Sequence, residues 1–214
     1  MMSAMKHRGP DDEGVFIKDH IGLGFVRLSI IDLSSAGHQP MFSADWRFVI
    51  VFNGEIYNYI ELREILKQSY DFKSNADSEV LLAAWLKWGG ECLHLLNGMF
   101  AFAILDTHNN SIFAARDRFG IKPFYYLEED NRFVFGSDIP CILAAVQRKS
   151  QADESVIFDY LLFNRTNHSG NTFFNGIKKM PHGNFLTING NKIVVKPWYN
   201  LRDRINALEN HRFN

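Results

Sequence analysis

Short apolar runs bounded by turn residues dominate this chain, and helical periods are fewer. Val15–Ile17 and Ile21–Leu28 read as a hairpin, preceded by turn chemistry around Gly9-Pro10. A strand is expected over Ser29–Leu33, ending in a polar turn at Ser34–Gly37. Phe48–Phe52 is apolar without alternation, which predicts a strand covered on both faces. Met99–Asp106 and Ser111–Asp117 predict another hairpin, closed by Thr107–Asn110. Tyr125–Leu127 pairs in the same way with Arg132–Gly136, and Phe185–Ile188 with Lys192–Lys196 over Asn189-Gly190.

The helical stretches lie mostly in the middle and late parts. Tyr59–Ser69 places Leu62, Ile65 and Leu66 on one face. Asp77–Trp88 is a second helix, stopped by Gly89-Gly90, and a short one follows at Glu91–Leu96. Ile139–Val146 and Glu154–Leu162 complete the set, and residues 200–214 read as a linker or a frayed end. This order predicts an α+β fold of two mainly antiparallel sheets packed face to face, with helices outside. The periodicity equally allows a sandwich built on one sheet.

Composition narrows the class. With 214 residues, 46% of them apolar, the chain is long enough for one substantial core. Twenty-three basic residues against 24 acidic ones, with no basic patch, give no support for nucleic-acid binding. No apolar run approaches the roughly 20 residues needed to span a bilayer, so no membrane association is expected. The two cysteines, Cys92 and Cys141, have no close-spaced partner. A disulfide framework and a metal site are therefore not expected, and a cytoplasmic setting is.

Several residues could carry chemistry, each with a plainer alternative. Asn53 and Gly54 follow an apolar strand, where a carboxamide and a backbone N–H could meet an oxyanion, or could simply form a turn. Arg27 sits among core residues and could pair with a ligand carboxylate or a protein one. Asp77 could hold an ammonium group or cap its helix. Arg116–Pro123 could bind phosphate or form an ion-paired turn. His7, Arg8 and Asp11 could act in catalysis or brace a loop, and Tyr57 and Asn58 stay open.

Six motifs in one order carry a resemblance: His7-Arg-Gly-Pro-Asp11, Arg27-Leu-Ser-Ile-Ile-Asp32, Phe52-Asn-Gly-Glu-Ile-Tyr-Asn58, Asp77-Ser-Glu79, Asn97-Gly-Met-Phe-Ala-Phe-Ala103 and Arg116-Asp-Arg-Phe-Gly120. Together they resemble the class II glutamine amidotransferase domain found at the front of glutamine-dependent asparagine synthetases. The resemblance implies a four-layer αββα sandwich of the N-terminal-nucleophile type over residues 1–199. It implies that residues 200–214 lead toward a synthetase domain. It further implies that Arg27, with the backbone of Leu28, Ser29, Ile30 and Ile31, grips the α-carboxylate of L-glutamine. Asn53 and Gly54 would form the oxyanion hole, and Glu55 and Asp77 would take the α-ammonium. No cofactor is implied in this chain, whereas ATP and magnesium would serve the synthetase domain, which amidates aspartate. A homodimer is possible.

Two departures qualify the resemblance, one at the front and one at the back, where the sequence holds no pyrophosphate-binding loop of the ATP-dependent domain. Family members begin with a cysteine nucleophile and a first strand well before the His-Arg-Gly-Pro-Asp motif, which here starts at His7. The expectation is a domain lacking that strand and that cysteine, truncated at both ends. Cys92 and Cys141 lie in apolar surroundings and are expected to be buried and inert. Besides a part of an asparagine-synthetase-like enzyme, the alternatives are a nucleophile-free domain that binds glutamine or a protein, and an amidotransferase for a different acceptor.

Overall fold

The computed structural model describes residues 1–29, 32, 34–129, 131–146 and 149–212. Its strands are β1 (Asp12–Lys18), β2 (Ile21–Arg27), β3 (Met41–Phe42), β4 (Phe48–Ile56), β5 (Gly98–Asp106), β6 (Ser111–Arg116), β7 (Tyr125–Glu129), β8 (Arg132–Gly136), β9 (Ile177–Lys179), β10 (Asn184–Asn189) and β11 (Lys192–Pro197). The helices are α1 (Met2–Met5), α2 (Tyr59–Leu66), α3 (Asp77–Trp88), α4 (Cys92–Leu95), α5 (Ile139–Val146), α6 (Glu154–Phe163) and α7 (Leu201–Arg212).

Six strands form one sheet in the order β11-β10-β6-β5-β4-β3, each pair antiparallel. Strand period sorts its side chains between two cores. Ile50, Phe52 and Ile56 of β4, with Phe100, Phe102 and Ile104 of β5, meet Leu62 and Leu66 of α2, Val80–Ala84 of α3 and Leu93 of α4. The alternate residues Val49, Val51, Ala101, Ala103 and Leu105 face a second β layer, through Leu23 of β2, Tyr126 of β7 and Phe133 and Phe135 of β8. Both faces of β4 and β5 are therefore covered, which is why these strands read as unbroken apolar runs.

That second layer consists of two separate sheets, β1-β2 and β8-β7-β9, rather than one continuous one. Its outer face carries Leu127, Val134 and Ile177, which pack on Cys141, Ile142 and Leu143 of α5 and on Ala4 and Met5 at α1. The order of layers is thus α, β, β, α, as the sandwich expectation required. β2 and β8 are both edge strands, and both border the same cavity.

Several local expectations change. Asn53 and Gly54 are not a turn, because β4 runs on through both to Ile56, paired with β5. In the strand expected over Ser29–Leu33, Ile30, Ile31 and Leu33 lie outside the described residues, while Ser29 and Asp32 belong to no strand. The β10–β11 turn consists of Gly190 and Asn191, one step beyond the expected pair, since Asn189 still pairs with Lys192. Residues expected to form a linker or frayed end are helical from Leu201 to Arg212. Leu201, Arg202, Arg204 and Ala207 favour a helix, and the Arg202 N–H donates to Asn200 Oδ1 at 3.0 Å in its first turn.

Candidate functional site

The end of β4 extends its inward-facing row past Val49 and Val51 to Asn53 and Glu55, so the apolar face becomes polar at one edge. Ala101 and Ala103 of β5 are small, and the space they leave floors a cavity of about 430 Å³. Asn53, Gly54 and Glu55 line it from β4, Arg27 and Leu28 from the end of β2, and Asp77 from the start of α3. Ser29 is not among the lining residues, and its N–H donates to Asp11 Oδ2 at 2.8 Å. Ile30 and Ile31 lie outside the described residues.

Arg27 is only 8% exposed. Its guanidinium donates to the carbonyl of Ser34 at 2.8 Å and to the carbonyl of Asp32. Neither of those acceptors is a carboxylate, so these bonds hold the cation in place without neutralising it. Asp77 is not the N-cap residue of α3: Ala76 holds that position, and no side-chain cap bond forms there. Its carboxylate reaches across to β4 instead and accepts the Ile56 N–H at 2.9 Å. Burial pushes the Asp77 carboxyl above its ordinary range, the Ile56 N–H opposes that, and nearby Glu55 adds to it. Asn53 Nδ2 donates to Ser137 Oγ at 3.1 Å, which ties β4 to the turn after β8 across the two β layers.

Gly54 is required by packing. A β-carbon there would fall 2.4 Å from the Met99 carbonyl oxygen and 2.8 Å from Phe100 Cα on β5. Asp32, Gly37 and Ser137 also line the cavity, and the sequence marked none of them as a site residue; Arg8, a candidate for catalysis or for bracing a loop, and Lys122, within the Arg116–Pro123 stretch, line it too. Asp32 closed a motif already noted, but no spacing rule points to Ser137.

The remaining candidates serve the scaffold. Arg116 donates to the carbonyls of Lys122, Met180 and Gly120, and Arg118 to that of Leu96. The turn expected to be ion-paired is therefore built on carbonyl acceptors. Asn58 accepts the Asn97 N–H at 2.9 Å and donates to the Leu95 carbonyl at 3.0 Å, bracing the approach to β5. His7 lies 3.6 Å from Asp138, at the surface. Cys92 and Cys141 are both fully buried and neither lines the cavity. Burial pushes the Cys92 thiol up to about 12 and raises that of Cys141. Among the described residues no group of three or more His, Cys, Asp or Glu could hold a metal ion, and no helix is long and apolar enough to cross a membrane.

Two β layers between helices, with a polar strand end over a partly open cavity, form the αββα sandwich of the N-terminal-nucleophile type. The solved glutamine phosphoribosylpyrophosphate amidotransferase of Bacillus subtilis shares it, with a TM-score of 0.60 at 19% identity over 83% of this chain and 35% of that one. The family profile of the glutamine amidotransferase domain matches residues 1–199, and the chain belongs to that family. Asparagine synthetase [glutamine-hydrolyzing] 3 of Bacillus subtilis is 36% identical over 94% of this chain and 33% of its own length. Putative asparagine synthetase [glutamine-hydrolyzing] 2 of Methanocaldococcus jannaschii is 44% identical over 73% of this chain and 34% of its own length. The chain thus spans about a third of the length of these curated relatives.

Proposed function

We propose that the cavity binds L-glutamine as the donor site of an asparagine-synthetase-like amidotransferase. The observation that carries this reading is the pairing of buried Arg27 and buried Asp77 on one cavity wall system with the Asn53 carboxamide. A cation and a carboxylate held apart match an amino-acid zwitterion. Arg27, with the backbone of Leu28, takes the α-carboxylate, and Asp77 and Glu55 take the α-ammonium. Asn53 and Gly54 receive the side-chain carbonyl oxygen.

In the reaction, a thiolate attacks the side-chain amide carbon and the carbonyl electron pair moves onto oxygen, which Asn53 and Gly54 stabilise. The oxyanion collapses, the C–N bond breaks, and the nitrogen takes a proton and leaves as ammonia. Water then cleaves the thioester to glutamate. Neither Cys92 nor Cys141 reaches the cavity. In this reading neither of these two cysteines supplies the thiol.

The ammonia passes to a synthetase portion that activates aspartate with ATP and magnesium, while the glutamine site itself uses no cofactor. The names and greater length of the curated relatives support that assignment. A cytoplasmic setting fits the two unpaired thiols. The burial of both thiols favours a second reading, in which the chain by itself binds glutamine without cleaving it. Calorimetric titration with L-glutamine tests the shared core of both. Binding that is lost in Arg27→Ala and in Asp77→Ala supports it, and binding indifferent to both removes it.

A further inference from the structure

The two charged poles of the cavity lie on separate elements, the end of β2 and the start of α3, and one residue bridges them through its backbone and its side chain. Asp32 sits in the loop after β2. Its backbone carbonyl accepts from the Arg27 guanidinium. Its carboxylate faces the other way: Oδ2 accepts the Asn75 N–H at 2.9 Å, two residues before Asp77. Oδ1 is occupied within the loop by the Ser34 N–H at 2.8 Å and the Ser34 hydroxyl at 2.6 Å.

The far end of this bridge is itself fixed. Glu79 of α3 accepts the N–H groups of Lys73 and Ser74 at 2.8 and 2.7 Å and the Ser74 hydroxyl at 2.7 Å. The segment 73–75 is thereby folded back onto the helix that carries Asp77. A rigid segment on the Asp77 side and a held guanidinium on the Arg27 side thus meet at Asp32.

We infer that Asp32 is a positioning residue that sets the distance between the cationic and anionic poles, and so selects ligands that carry both an α-carboxylate and an α-ammonium. The inference rests on the glutamine-binding reading. A ligand that touches one pole is indifferent to their spacing. A ligand that must span both loses affinity when the spacing relaxes.

The test uses the whole chain, titrated calorimetrically with L-glutamine and with glutaramic acid, which is glutamine without its α-amino group. Asp32→Ala removes the carboxylate but keeps the backbone carbonyl that holds Arg27. It is expected to weaken glutamine about tenfold, the worth of one charge-assisted hydrogen bond, and to leave glutaramic acid within about twofold. Asp32→Asn keeps one acceptor oxygen and is expected to fall between the two. It also serves if the alanine variant does not fold. Equal weakening of both ligands would assign Asp32 a general structural role, and no weakening of either would remove the bridge; each overturns the inference while the reading stands. A wild-type chain that binds neither ligand overturns the reading, and the inference with it.

Discussion

Gly37 lies against the guanidinium of Arg27: a β-carbon at position 37 would fall 2.3 Å from Nη2 and 3.0 Å from Cζ. Backbone collisions are expensive to relieve, whereas the end of a flexible side chain can move aside. Gly37→Ala is therefore expected to fold, with a loss of about 1 kcal/mol as Arg27 gives up its carbonyl partners. Its glutamine affinity is expected to fall about tenfold or more, approaching that of Arg27→Ala. Calorimetry beside a denaturant melt separates the two effects. Undiminished affinity in Gly37→Ala would show that the guanidinium position does not matter to the ligand.

Asp77 should make stability and binding respond to pH in opposite senses. Its folded pKa is raised above 3.8, chiefly by burial. A carboxyl with a raised folded pKa holds its proton more tightly in the folded chain. Its contribution to stability therefore declines as pH rises from its unfolded value through the folded one. An ammonium ligand favours the ionised form, so glutamine affinity should rise with pH across the same window, with proton release. Titrations between about pH 4 and 7 in two buffers of different ionisation enthalpy read that release. Asp77→Asn keeps an oxygen for the Ile56 N–H and removes the buried charge. It should hold or raise the stability of the ligand-free protein at neutral pH while abolishing the pH dependence of binding. A flat affinity in the wild type would separate Asp77 from the ammonium.

The parts of the fold legible in sequence were those with enough length to show a period. α3 starts at Asp77 and stops at Trp88 as expected, because acidic residues Asp77 and Glu79 suit its first turn and Gly89-Gly90 follow its last residue. β3 and β9 were missed because two or three residues carry no alternation, and only pairing with β4 and β7 makes them strands. The site divides in the same way. Arg27, Asn53 and Asp77 stood out as polar residues at the ends of apolar runs. Ser137 and Gly37 did not, since their roles come from contacts with Asn53 and Arg27 across 84 and 10 positions of chain, the latter the difference of 37 and 27.

Asp117 should matter more to the fold than its charge-rich surroundings suggest. It is 1% exposed and accepts four backbone N–H groups, from Phe119 and Ile121 at Oδ1 and from Phe100 and Lys122 at Oδ2, at 3.0 to 3.2 Å. An asparagine offers one oxygen and turns an NH₂ toward the other two donors. Asp117→Asn is expected to cost about 3 kcal/mol in urea unfolding. Asp71→Asn, at an ion pair in which both Asp71 and its partner Lys73 are largely exposed, should cost less than about 0.5 kcal/mol. Similar losses in the two variants would mean that the four N–H groups find other acceptors.

The thiols give the sharpest check on where the nucleophile is not. Only thiolates react at useful rates, and burial disfavours the thiolate at both Cys92 and Cys141. Cys141 is the nearer of the two to the cavity, since a β-carbon on cavity-lining Gly136 would fall 2.2 Å from its Sγ. Yet that sulfur points to the Asp138 carbonyl at 2.8 Å and is packed among Leu127, Ile142 and Ile177. At pH 8 the folded protein should therefore resist a thiol-reactive dye, and denatured protein should take up two equivalents. Cys92→Ala and Cys141→Ala should leave glutamine affinity unchanged within about twofold, at a stability loss of about 1 kcal/mol each. Rapid labelling of native Cys141, together with ammonia release lost in Cys141→Ala, would instead make this thiol the nucleophile. The cavity would then have to open between Gly136 and α5.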